Sequence, residues 1–152
     1  HGLLKKLSNV ASEFISGTGT WTRLVSAVQG LYTHGNNASV PASTTYYLAL
    51  YTPGLFTTLA NIAVTRACTV QNLFFSTNSV QPASGSLVVT VLKNNAATSL
   101  TITIPASGAA TIYSDTTHSV SFAQGDALTI QIVNNATAAS ALITRTSLEL
   151  LF

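Results

Sequence analysis

Charge is what this sequence has least of. Lys and Arg together number six and Asp and Glu four, so 7% of the 152 residues are charged, where an ordinary soluble domain carries roughly 25%. The basic residues are scattered, with Lys5-Lys6 the one adjacent pair. This excludes a nucleic-acid footprint, which needs clustered Lys and Arg. The single Cys68 excludes an intrachain disulfide, and one Cys with no Met leaves no soft-metal or redox set. No run of 18 apolar residues occurs, so no helical membrane span is expected. Four carboxylates (Glu13, Asp115, Asp126, Glu149) leave little material for paired acid–base catalysis.

What is present in quantity is small and uncharged. Hydrophobic residues make up 47% of the chain, and Ser, Thr, Asn, Gln and Gly supply most of the remainder. A surface of hydroxyls and amides with few charges is poorly protected against self-association. The composition therefore points to a subunit whose surface is covered by copies of itself. At this length one domain with its own core is expected.

Residues 3–16 carry the one clear helical period. Leu3, Leu4, Leu7, Val10, Ala11, Phe14 and Ile15 fall on one stripe, with Gly17 and Gly19 as the stop. A helix of about 14 residues is marginal alone. Leu3, Leu4, Leu7, Val10, Phe14 and Ile15 are thus expected to dock on protein and anchor the assembly. The apolar positions are interrupted at helical spacing and do not read as a signal peptide. The start at His1 fits a processed chain or a piece of a longer one. Residues 23–32 fit helix and strand equally, and 34–43 read as loop. Residues 1–42 are accordingly expected to be an amphipathic helix and extension.

From 43 to 152 the pattern is β. TTYYLALY (44–51) reads as an aromatic-rich strand, and apolar and small polar residues alternate with period two in SLVVTVL (86–92), TSLTITI (98–104), HSVSF (118–122) and ALTIQIV (127–133), with Leu148, Leu150 and Phe152 alternating in the closing 139–152. Residues 60–77 read as two strands with a bend or one long bulged strand, and a short strand is expected near 111–113. Asn94-Asn95 and Gly125-Asp126 can adopt the left-handed turns that hairpins need. About eight strands at this spacing predict an antiparallel sandwich.

The stretches TVQNLFFSTNSVQPASGSLVVTVLKNNAATSLTITI and SDTTHSVSFAQGDALTIQIVNNATAASALITRTSLEL, between Cys68 and Phe152, carry a resemblance. They resemble the small jelly-roll domains of phage tail-fibre and other virion proteins. They are similar also to C-terminal domains of bacterial collagen-like and exosporium surface proteins. The resemblance implies an all-β jelly-roll-like sandwich and a non-enzymatic structural role in a virion, as a fibre, decoration or capsid component. A secreted subunit of a bacterial surface filament is the second reading, and a carbohydrate-binding module the third. The partners implied are copies of the chain, with a trimer as one arrangement, other virion or filament proteins, and a glycan on a host surface.

Candidate chemistry is sparse. His1, His34 and His118 lie far apart with no second ligand at metal spacing. Asp115 and Asp126 sit at turns and are expected to cap them, His118 to be hydrogen-bonded in place, and Cys68 to be a buried thiol. No G-x-S-x-G elbow occurs. No catalytic residue, metal ligand or cofactor is therefore assigned. Among the aromatics, Tyr46, Tyr47, Tyr51 and Tyr113 are the candidates for an exposed platform or a subunit interface, with Phe56, Phe74 and Phe75 in the same set, of which at least half must be core.

Overall fold

The structure, a computed structural model, describes residues 13–15, 21–23, 29–34, 38–48 and 55–152. Among them it is all β, in antiparallel sheets and without a helix. The expected helix lies outside the described residues, and Leu3, Leu4, Leu7 and Val10 with it. Of its expected range only Glu13–Ile15 (β1) is described, and it pairs antiparallel with Trp21–Arg23 (β2). Phe-Ile and Trp-Thr are strand formers, which suits this pairing.

Two sheets form the sandwich. Gln29–His34 (β3), Cys68–Thr77 (β7), Ile112–Phe122 (β10) and Ile143–Leu151 (β12) make a four-stranded sheet in the order β10-β7-β12-β3. Thr44–Leu48 (β4), Leu55–Phe56 (β5), Leu87–Lys93 (β8), Ala96–Ile104 (β9) and Ala127–Asn134 (β11) make the other in the order β5-β4-β11-β8-β9, with the short Ile62–Ala63 (β6) also on β11. The stretch 60–77 thus resolves into two strands. Residues 23–32, where helix and strand were equally favoured, contribute the start of β3, which β12 pairs along its length.

Alternation builds the core. Val70, Leu73 and Phe75 of β7 and Leu148 of β12 face Val89 and Val91 of β8, Leu100 and Ile104 of β9, and Ile130 and Ile132 of β11. Cys68 is buried among them as a free thiol, and burial pushes its pKa up. The turns behave as their residues dictate. Asn94 and Asn95 both take positive φ between β8 and β9. Gly125 does so ahead of β11, where Asp126 accepts from the Ala123 N–H at 2.7 Å and from Asn94 Nδ2 at 2.8 Å.

One element differs in kind. The strands expected near 111–113 and at 118–122 are a single strand, β10, broken by a bulge between Asp115 and Ser119. Asp115 explains it. The residue is 7% exposed. It accepts from the His118 N–H at 3.2 Å, from the Thr117 N–H at 3.2 Å and hydroxyl at 3.0 Å, and lies 2.9 Å from His118 Nδ1. It also accepts from the Thr101 N–H of β9 at 3.0 Å. β9 and β10 are edge strands of opposite sheets, so this carboxylate gives an edge amide its partner and clasps the sandwich shut.

Candidate functional site

The outward residues of the two sheets are different populations. On the six-stranded sheet, register aligns Tyr47, Gln131, Thr90 and Thr101 in one row and Thr45, Val133, Val88 and Thr103 in the next. Neither row contains a charge. Their polar groups bond one another: the Thr90 and Thr101 hydroxyls are 2.9 Å apart, and Gln131 Nε2 donates to the Tyr47 hydroxyl at 3.4 Å.

On the four-stranded sheet, one row runs Ile112, Ser76, Arg145 and the next Ser114, Phe74, Ser147. A small serine between two long side chains makes a hollow. Ser76 is its floor, Ile112 and Arg145 its walls and Phe74 its end, and it holds about 110 Å³. Phe74 is 38% exposed and Ile112 59%. The other large apolar side chains that stand exposed, Phe56, Leu59 and Val80, lie on the edge strand β5 and in loops. The Ser76 hydroxyl lies 2.6 Å from that of Thr144, which fixes the floor.

Two bulges produce these rows. Asn72 takes φ +52°, and the register of β7 against β12 shifts between Ser147 and Glu149 and again between Ile143 and Arg145. Without the first shift Phe74 would fall on the core face, because a one-residue slip exchanges the two faces. The Asn72 bulge has a second effect. Asn72 Nδ2 and Gln71 Nε2 both donate to Glu149 Oε2, at 2.6 and 2.9 Å. The bonds from Gln71 and Asn72 hold the Glu149 carboxyl below its ordinary pKa. Glu149 is thereby engaged on its own strand level. Among the described residues Lys93 pairs with Asp126 and the His118 ring contacts Asp115, and no carboxylate lies within ion-pair distance of Arg145.

The other carboxylates serve the fold. For Asp115, burial opposes the charge, but the bonds from the Thr101 N–H, His118 and Thr117 outweigh it and hold the pKa at about 2. For Asp126, Asn94 first, then the Ala123 N–H and Lys93, hold it at about 2. Asp126 is 3.1 Å from Lys93 Nζ. No group of three His, Cys, Asp or Glu gathers among the described residues. No helix there is long and apolar enough to cross a membrane.

The tyrosine candidates separate. Tyr46 and Tyr113 pack against the core, the latter donating its hydroxyl to the Ala109 carbonyl at 2.8 Å. Tyr47 lies on the outer face of the six-stranded sheet. Tyr51 lies outside the described residues, as do the side chains of Phe14 and Ile15. Tyr46 and Tyr113 thus do not share the outer face on which Tyr47 lies. Phe74 belonged to the wider aromatic set; Ile112 and Arg145 had no signal of their own, because only register sets them around Ser76.

No family model matches this sequence, and no curated protein matches it. Among solved structures, a likeness is found to the GH26-CBM35 β-(1,4)-mannanase of Podospora anserina. It covers 78% of this chain and 27% of that one, at 21% identity and a TM-score of 0.40.

Proposed function

We propose that this chain is a non-enzymatic structural subunit that assembles with copies of itself through a jelly-roll sandwich, as a fibre, decoration or capsid component of a virion. The observation that carries self-assembly is the outer face of the four-stranded sheet. Phe74, Ile112 and Arg145 stand uncovered there around a hollow, a composition of the kind enriched in protein interfaces and their hot spots. Low overall charge acts in the same direction, since little repulsion opposes contact between copies. The jelly-roll reading is supported by the path of the chain: from β7 on, it visits the two sheets as four, six, six, four, six, four strands, wrapping them together. The virion assignment rests on the resemblance of residues 68–152, because one fold serves many functions.

Two measurements test this reading. Sedimentation equilibrium of the chain should give a mass that rises with concentration, and a fixed 15.8 kDa would oppose self-assembly. Immunogold labelling with an antibody to the chain should decorate particles; label confined to cell envelopes would move the assignment to a surface filament.

A further inference from the structure

We propose that two copies pack face to face through their four-stranded sheets about a two-fold axis that crosses the strands at the level of Phe74 and Ser147, so that Arg145 of each copy meets Glu149 of the other. This rests on the reading of that face as a self-association surface and specifies its geometry.

The argument starts from spacing. Arg145, Ser147 and Glu149 alternate outward on β12, while Thr146 and Leu148 are buried. At about 3.4 Å per residue, Arg145 and Glu149 lie roughly 7 Å either side of Ser147. The strand therefore presents a positive, a neutral and a negative position at equal intervals. Two kinds of two-fold axis can set this face on its own copy. An axis laid along β12 keeps each of its residues at its own level, and brings Arg145 toward Arg145 and Glu149 toward Glu149. An axis across the strands reverses them and brings Arg145 to Glu149 twice. Like charges in a contact cost several kcal/mol, so charge selects the second. An isologous contact needs this self-complementarity.

The neighbouring groups fit the same axis. Phe74 pairs with Ser147 in the sheet register. It therefore lies at the level of the axis and faces its own twin. Glu149 is bound by Gln71 and Asn72 through one oxygen, Oε2, which fixes the carboxylate; among the described residues nothing bonds Oε1, so it can accept from an incoming guanidinium.

The size of the contact sets its strength. Four strands at about 4.8 Å and about nine residues at 3.4 Å give a face of roughly 20 by 30 Å, or roughly 600 Å² per copy. That is near the lower limit for a stable specific interface. Association in the micromolar range is expected, able to hold firmly only when repeated in an assembly.

Charge exchange on the full chain tests the geometry. Arg145→Glu and Glu149→Arg should each weaken self-association by about 30-fold or more in sedimentation equilibrium. The double variant R145E/E149R, and an equimolar mixture of the two single variants, should recover it to within a few-fold, since each restores both opposite-charge contacts. Single variants that associate like the parent, or a mixture that stays monomeric, would overturn the two-fold geometry. If Phe74→Ser abolishes association while the charge variants leave it intact, the face stands and the axis fails. If the parent is monomeric, or Phe74→Ser also associates normally, the face itself fails. A second measurement does not depend on reversed charges. Ser147→Cys should be joined to its twin by a short bis-maleimide, giving a species of twice 15.8 kDa, because native Cys68 is buried. Absence of that species at associating concentrations would also overturn the axis.

Discussion

The two outer faces of this sandwich arise from the same alternation and come to opposite conditions. On the six-stranded sheet the outward rows are Thr, Val, Gln and Tyr, with hydroxyls and amides bonded to one another. On the four-stranded sheet, Phe74 and Ile112 stand exposed, Arg145 lacks a carboxylate among the described residues, and Glu149 is held away from it. Water can satisfy the first face as it is. The second face leaves apolar area in water and, among the described residues, a cation without a carboxylate; in the proposed assembly a second copy would cover both. Period two tells which residues point outward; what they meet depends on how neighbouring strands are aligned.

That comparison can be broken from several sides. The largest effect is expected where both faces are held in place, at the β9–β10 edge. Asp115→Ala removes the acceptor for the Thr101, Thr117 and His118 groups. A loss of about 2 kcal/mol is expected, or roughly 4–8 °C in Tm. An unchanged melt would show that the clasp does not hold the edge. The same carboxylate gives a pH signature. Its pKa falls from 3.8 to about 2 on folding. Its stabilisation is thus complete above the unfolded value and is lost as pH falls toward the folded one. Melts at pH 7, 4 and 2.5 should show Tm dropping over the last interval, and dropping less in Asp115→Asn. Equal drops would assign the acid loss to other groups.

Phe74→Ser is expected to act on association and not on folding. Loss of a central aromatic of this kind costs about 2 kcal/mol of contact energy, or about 30-fold in dissociation constant, with Tm of the separated chain nearly unchanged. The smallest effect belongs to the opposite face. Thr103→Lys places a charge on the six-stranded sheet at an exposed position. It should alter stability by less than about 0.5 kcal/mol and leave self-association as it was. If Thr103→Lys disperses the assembly and Phe74→Ser does not, the roles of the two faces are reversed.

The sequence made the strands legible where alternation was long and bounded by turn residues. Leu87–Lys93, Ala96–Ile104 and Ala127–Asn134 fall within a few residues of their expected ranges, and the Asn94-Asn95 turn takes the left-handed backbone expected of it. Features set by distant residues were hidden. The join of 111–113 with 118–122 depends on Asp115 reaching Thr101 on the other sheet. The hollow depends on Ile112, Ser76 and Arg145 sharing a row, which two bulges determine. Aromatic content drew attention to Tyr46 and Tyr113, yet their strand positions turn them to the core. Phe74, a neighbour of the buried Phe75, could be placed outward only once the shift at Asn72 was known.

Sedimentation equilibrium of the parent chain, Phe74→Ser and Thr103→Lys over one concentration series tests the central claim most directly. The account predicts that the parent and Thr103→Lys rise above 15.8 kDa together while Phe74→Ser stays there. A parent that remains at the mass of one chain throughout, or a Phe74→Ser variant that associates as the parent does, would contradict it.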